Sequence, residues 1–305
     1  VSAGRYAPSP SGELHIGNLR TAILAWLFAR STHRSFLLRV EDLDRARAGS
    51  EEQQIADLAR IGLTWDEEPL RQTDRGDVYR DAITTLTARG LLYECFCTRR
   101  DIAEASSAPH AAPGAYPGTC RNLSESERVI KRRERPAALR LHSSVTELSV
   151  TDQIHGTYVG IVDDFVVLRN DGVPAYNFAT VLDDLLQGID QVVRGDDLLS
   201  SAPRQSYLHS LLAPDYDAAA PALTYAHVPL VLNSREQRLA KRDGAVTLAD
   251  LELLGFGTSE VVARLLQSVN LPGDPGREPS AQLQAALRVF DPDVLPREPW
   301  VFTEF

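Results

Sequence analysis

Apolar residues switch between two periods along the first ninety positions. A short extended segment ending at Arg5-Tyr6-Ala7 runs into the turn Pro8-Ser9-Pro10-Ser11-Gly12, and from about His15 the residues Leu19, Ile23 and Leu27 fall on one helical stripe. Ser35-Phe36-Leu37-Leu38-Arg39-Val40 reads as a mostly buried strand and ends in Glu41-Asp42-Leu43-Asp44. A second helix is expected to open with a capping box, Ser50-x-x-Gln53, to turn Ile55 and Leu58 inward, and to stop near Gly62. A third, from about Asp74 to Gly90, shows Val78, Ala82, Ile83 and Leu86 on its apolar face. Strand and helix alternating in this way predict an α/β fold with a parallel sheet.

The pattern changes at Leu91. Cys95-Phe96-Cys97, a helix start at Thr98, a Ser/Ala/Pro/Gly-rich loop over 105–115 and Tyr116-Pro117-Gly118-Thr119-Cys120 follow one another, then strand-like segments over about 137–169 and a turn at Asn170-Asp171-Gly172. This stretch reads as an insertion. Alternation resumes with a helix over 179–188, a strand over 191–194 and a helix from about Leu199 to Leu212, and the last sixty residues read as short helices ending in a Pro-rich tail.

With 305 residues, 43% of them apolar, the chain can bury a substantial core. No apolar run reaches membrane-spanning length and no basic segment leads into a hydrophobic one at the start, so a cytoplasmic protein with no membrane partner is expected. A net charge of -10 argues against coating nucleic acid through global attraction. Local basicity would have to serve instead: Lys131-Arg132-Arg133-Glu134-Arg135 and Arg99-Arg100 are the candidates, with a solvated helix face as the alternative. Lysine is otherwise nearly absent, Lys131 and Lys241 being the only two.

Two constellations carry chemistry. At His15-Ile16-Gly17-Asn18 a helix begins just after a strand and a turn, which suits an anion: helix-start N–H groups favour phosphate, Gly17 permits close approach, and an imidazole there can donate to phosphate oxygens. Three cysteines in a cytoplasmic chain are poor candidates for disulfides. Cys95, Cys97 and Cys120 could give three thiolates to one Zn²⁺, with Tyr116, His110 or water as the fourth ligand; three unrelated buried thiols are the alternative.

Together with Arg238-Leu239-Ala240-Lys241-Arg242, these features resemble the class I aminoacyl-tRNA synthetases, whose signatures are a His-Ile-Gly-His-like and a Lys-Met-Ser-Lys-Ser-like motif. The glutamate-specific group is matched best, through the Arg5 to Gly12 run, Arg39-Val40-Glu41-Asp42-Leu43-Asp44, Ala175-Tyr176-Asn177-Phe178, Val193-Arg194-Gly195-Asp196-Asp197 and His227-Val228-Pro229-Leu230, in order across residues 4–245. Only residues 243–305 follow the second signature, too few for the anticodon-binding region of full glutamyl-tRNA synthetases. The Cys-x-Cys, Tyr-x-x-x-Cys arrangement is similar to the zinc site of the glutamyl-Q tRNA(Asp) synthetases, truncated relatives that attach glutamate to queuosine in the anticodon loop of tRNA(Asp).

The resemblance implies a Rossmann-like catalytic domain in two halves, 1–92 and 179–235, an inserted zinc-containing, acceptor-binding-like subdomain at 93–178, and the Lys241 loop with a short helical region at 236–305. It implies ATP with Mg²⁺, L-glutamate and tRNA(Asp) carrying queuosine as substrates, and one structural Zn²⁺ held by Cys95, Cys97, Tyr116 and Cys120; the sequence holds no obvious coiled coil, so a monomer is expected. His15 and Lys241 would be catalytic and, with Gly17 and Asn18, would bind ATP. Arg5 and Arg194 would take the carboxylates of glutamate and Glu41 its ammonium, with Ala7, Ser9 and Tyr176 completing the pocket. An ion pair of Arg194 with Asp196 or Asp197 is the alternative for that residue. The signatures depart from the family at Asn18, Arg238 and Ala240, and weaker ATP contacts or slower loop closure are expected from them.

Overall fold

The computed structural model describes residues 2–98, 100–102, 115–216, 223–237, 239 and 246–302. Its centre is a seven-stranded sheet formed by β1 (Ala3–Tyr6), β2 (Ser35–Val40), β3 (Leu70–Arg71), β6 (Glu147–Asp152), β7 (Gly156–Ile161), β9 (Ile189–Gly195) and β10 (Thr224–Val228), in the order β3-β2-β1-β9-β10-β6-β7. All neighbours run parallel except the β6–β7 pair. From β1 the chain winds one way through β2 and β3, while β9 and β10 extend the sheet the other way. Such a reversal opens a crevice beyond the carboxyl ends of the two central strands, where ligands of doubly wound sheets bind.

Helix α1 (Ile16–Ser31) packs over β1 and β9 and is sheathed from solvent by the C-terminal helices. The stripe of Leu19, Ile23 and Leu27 is buried, but so are Ala22, Leu24, Trp26 and Phe28 on its other sides, as a helix apolar all round requires. Helix α2 (Ser50–Arg60) differs from expectation at its start. Gly49, at φ 77°, is the N-cap, Ser50 lies inside the helix, and Gln53 bonds Asp57 Oδ1 instead of closing a capping box. A left-handed glycine makes the entry turn, so no side-chain cap is needed. The helix ends at Arg60, with Gly62 just beyond it at φ 87°, as the expected stop near Gly62 requires. Helix α3 (Gly76–Ala88) buries Tyr79, Ala82 and Leu86.

A smaller antiparallel sheet, β4 (Leu92–Cys95), β5 (Ala138–Leu141) and β8 (Val166–Leu168), lies beside the central one and carries the three cysteines at its end, with helix α4 (Glu125–Glu134) nearby. Residues Glu147–Ile161, within the expected insertion, extend the central sheet instead. Helix α5 (Tyr176–Leu186) starts three residues before the predicted 179, because Pro174 ends the preceding turn and Ala175 already serves as N-cap. After β9, a 3-10 segment (Asp196–Ser201) leads into α6 (Ala202–Leu212). Short helices α7 (Leu248–Leu253), α8 (Thr258–Gln267) and α9 (Pro279–Leu287) complete the shell over α1. No helix among the described residues is long and apolar enough to cross a membrane.

Candidate active site

A cleft of about 840 Å³ opens at the reversal of the sheet. Its walls include Ala7, Ser9, His15, Gly17, Asn18, Glu41, Tyr176 and Arg194, so eight of the residues expected to bind glutamate or ATP meet there. The loop from β1 to α1 is held open by backbone and side-chain bonds: Glu41 N–H donates to Pro8 O at 3.0 Å, and Gln54 Nε2 donates to Ser9 O at 3.1 Å and Gly12 O at 2.5 Å. Gln54 is buried, and its role was not anticipated; a glutamine among the inward positions of an amphipathic helix was the available signal.

His15 is the N-cap of α1. Its Nδ1 accepts from the N–H groups of Gly17 at 3.1 Å and Asn18 at 3.3 Å, while its own N–H donates to Asn18 Oδ1 at 3.2 Å. An Nδ1 that accepts two bonds carries no proton, so in the neutral ring the proton is on Nε2. The imidazole thus occupies the first N–H groups of the helix itself. Asn18, a departure from the family signature, gains a defined task as the reciprocal half of this box. A Cβ on Gly17 would lie 2.9 Å from His15 Cε1, so the glycine makes room for the folded-back ring.

Beyond the helix start, Ile16 N–H donates to Val246 O at 2.9 Å, and Leu239 N–H donates to Val231 O at 3.0 Å. Leu239, within the second signature, and Val246, a few residues after it, are thereby tied to the cleft wall. Lys241, Arg238 and Ala240 themselves lie outside the described residues, as do Arg99 and His110.

The end of the cleft at Glu41 holds a dense set of charges. Glu41 Oε1 accepts from Arg39 Nη2 at 3.2 Å and from Thr180 Oγ1 at 2.9 Å, and the buried Arg39 also bonds Asp184 at 2.8 Å. Arg5 is buried against the same Asp184 and does not line the cleft. Burial would raise the Asp184 carboxyl, but the two guanidinium groups outweigh it and hold the pKa below its ordinary value.

Arg194 is surrounded differently. Its Nε donates to His227 Nε2 at 3.0 Å, its Nη1 to Gln205 Oε1 at 2.6 Å and its Nη2 to Leu198 O at 3.3 Å. Neither Asp196 nor Asp197 pairs with it, and none of the ion pairs among the described residues includes it. A guanidinium only 6% exposed, at the wall of a cleft and bonded to neutral groups, is a site for an anion.

The three cysteine sulfurs all lie within 4.8 Å of one another. The Tyr116 hydroxyl stands 3.3 Å from Cys95 Sγ and 3.7 Å from Cys97 Sγ, whereas His110 lies outside the described residues. Burial, and the neighbouring sulfurs, push the Cys97 thiol up to about 12 despite the Tyr116 hydrogen bond. Three sulfurs so close in a buried pocket cannot all ionise without a cation, which is what a Zn²⁺ site of thiolate donors supplies. The donor set fits zinc.

A family model described as tRNA synthetases class I (E and Q), catalytic domain, matches residues 3–269. The chain belongs to the class I tRNA synthetases for glutamate and glutamine. This synthetase is a ligase, and class I synthetases use ATP. It is 57% identical to a glutamyl-Q tRNA(Asp) synthetase of Nocardia farcinica, over 99% of this chain and 93% of that one. It is 34% identical to a glutamate–tRNA ligase of Bacillus licheniformis, over 98% of this chain but 64% of the ligase. Among solved structures, the glutamate tRNA ligase of Elizabethkingia meningosepticum, crystallised with its amino acid, superposes with a TM-score of 0.77 at 26% identity, over 99% of this chain and 67% of that one. The synthetase fold expected from the sequence, α/β with a mostly parallel sheet, is therefore present.

Proposed function

We propose that this synthetase activates L-glutamate with ATP and transfers it to queuosine in the anticodon loop of tRNA(Asp). The observation that carries the glutamate reading is Arg194, a buried cation with neutral partners at the wall of the cleft that Glu41 and Tyr176 also line. An amino acid with two carboxylates and an ammonium supplies the missing anion to Arg194 and a cation to Glu41. Ala7, Ser9 and Tyr176 close the pocket around it, and Arg5, behind the wall, adds positive charge shared with Asp184. Glutamine, with one carboxylate fewer, leaves a buried cation uncompensated, which is a basis for discrimination.

In the first step an oxygen of the glutamate α-carboxylate bonds to the α-phosphorus of ATP, the bond from that phosphorus to the bridging oxygen breaks, and pyrophosphate leaves. Little covalent help is needed; positioning and charge stabilisation dominate. His15, with Nε2–H as donor, and Lys241 bind the phosphates, Mg²⁺ accompanies ATP, and Gly17 and Asn18 keep the imidazole in place. In the second step an acceptor hydroxyl bonds to the activated carbonyl carbon, the bond to AMP breaks, and the hydroxyl proton passes to solvent.

The destination on queuosine is supported by the name of the Nocardia relative, whose length this chain nearly matches. Zn²⁺ held by Cys95, Cys97, Cys120 and Tyr116 supplies folding energy to the insert and no chemistry. We take it to act as a monomer in the cytoplasm with its tRNA. The test is incubation with ATP, labelled glutamate and either tRNA(Asp), with and without queuosine, or tRNA(Glu). Label on the anticodon-loop nucleoside, dependent on queuosine, is expected. Label at the 3′ end of tRNA(Glu) instead, or no glutamate-dependent ATP–pyrophosphate exchange, overturns the reading.

A further inference from the structure

Three neighbouring strands end in three residues that touch in series. Asp152 is the last residue of β6, His227 lies next to the end of β10 opposite Arg194 of β9, and β10 runs between the other two. Asp152 and His227 are buried completely or nearly so. The Asp152 carboxylate is saturated with donors: Oδ1 accepts from Ile154 N–H and His155 N–H, each at 2.9 Å, and Oδ2 from His227 N–H at 3.1 Å and the His227 ring Nδ1 at 2.5 Å. A carboxylate with two backbone donors on Oδ1 and one on Oδ2 can only accept, so it fixes the proton of His227 on Nδ1. The lone pair is then on Nε2, which faces the Nε–H of Arg194 at 3.0 Å. Tyr225 stacks on the imidazole, with centroids 5.7 Å apart and 18° between planes, and keeps the ring from turning.

We propose that His227, with its tautomer set by Asp152, is the positioning residue that aims Arg194 at a carboxylate of the amino acid and thereby sets the preference for glutamate. The proposal rests on the glutamate reading above. His227 does not line the cleft and acts through Arg194 alone. With the opposite tautomer, two N–H groups would face each other at 3.0 Å, and the guanidinium would have to leave that position. Gln205 Oε1 fixes a second edge of the fork through Nη1, so a rotation about Nε costs both bonds.

The experiment compares wild type, His227→Gln, His227→Leu and Asp152→Asn in glutamate-dependent ATP–pyrophosphate exchange, with Tm measured on each. Gln keeps an acceptor towards Arg194; Leu removes it. Asn in place of Asp152 presents an NH₂ on one side to backbone donors, whichever way it turns, and so unsettles the tautomer. His227→Leu and Asp152→Asn are expected to raise KM for glutamate about 10- to 100-fold, the range for a hydrogen bond to a charged group, with KM for ATP and kcat within roughly threefold of wild type. His227→Gln is expected to recover most of that loss and to retain rejection of glutamine, whereas the Leu variant narrows it. Equal KM effects on ATP and glutamate, or a Gln variant no better than Leu at matched Tm, overturn the proposal. If His227→Leu or Asp152→Asn does not fold, the Gln variant alone decides: a glutamate KM more than about tenfold above wild type, with intact Tm, rejects an acceptor role. Absence of glutamate-dependent exchange in the wild type would instead reject the functional reading beneath it.

Discussion

Arg5 and Asp184 are joined by two hydrogen bonds, of 3.1 and 3.4 Å, behind the wall of the cleft, and Arg39 Nη1 donates at 2.8 Å to the same Asp184 Oδ1 that accepts from Arg5 Nε. One carboxylate therefore holds two buried guanidinium groups. Its removal leaves both cations poorly compensated, the situation in which breaking a buried pair is most damaging. Asp184→Asn is expected to lower unfolding free energy by about 3–5 kcal/mol in urea titration. A loss under about 1 kcal/mol would show that solvent or Glu41 takes over the compensation.

Gly17→Ala tests the folded-back imidazole. The added methyl would meet His15 Cε1 at 2.9 Å and Val231 Cβ at 3.3 Å, and the ring is the part free to yield. Exchange activity is expected to fall about 10- to 100-fold, as for one misplaced phosphate donor, while stability changes by no more than about 1–2 kcal/mol. Intact exchange would mean that the ring position seen here does not serve phosphate.

Metal content tests the cysteine cluster. One zinc per chain is expected by elemental analysis, and Cys97→Ser or Cys120→Ser is expected to lose it and to loosen the insert towards protease. Tyr116→Phe removes only the hydroxyl near Cys95 and Cys97 and is expected to retain zinc with faster release to a chelator. Full zinc binding in all three variants would exclude this donor set.

Much of this site was legible in the sequence because its parts sit at the ends of regular elements. A strand, a Pro/Gly turn and a helix start put His15 and Gly17 at the crevice, and the strand end put Glu41 beside them. Arg194 was also legible, but its partners were not: Asp196 and Asp197 are its neighbours in sequence, while a strand twists its side chains away from them and towards β10. Asp184 and Gln54 were missed for a related reason. Polar residues on buried helix faces reveal that something must satisfy them, but which arginine or carbonyl does so depends on how remote strands are brought alongside. The Ser50 capping box failed locally, since Gly49 can take a conformation that makes a cap superfluous.

The Asp152–His227 pair makes the site sensitive to acid, and the sign follows from both shifts. Burial disfavours a charged imidazole, and together with the nearby Arg194 this outweighs the Asp152 hydrogen bond, so the His227 pKa lies below its usual 6.5. Burial would raise Asp152, but hydrogen bonds from His227 and from the His155 and Ile154 amides outweigh it and bring that carboxyl to about 2, below the usual 3.8. Both groups therefore bind protons more readily in the unfolded chain, and stability falls as pH falls. The His227 contribution is complete above its unfolded value near 6.5 and is lost as pH drops through the folded value; the Asp152 contribution is complete above 3.8 and is lost towards 2. His209, also buried with a lowered pKa, adds to the upper window. A decline in Tm beginning below about pH 6.5 and steepening below about pH 4 is expected, and in His227→Gln the first part of that decline becomes shallower without vanishing. Because a protonated His227 has no lone pair for Arg194, KM for glutamate is expected to rise as pH drops through the folded His227 value, below 6.5, while KM for ATP does not. A glutamate KM that stays constant as pH drops from about 7.5 through the pH at which His227 titrates in the folded protein would contradict the coupling of imidazole and guanidinium.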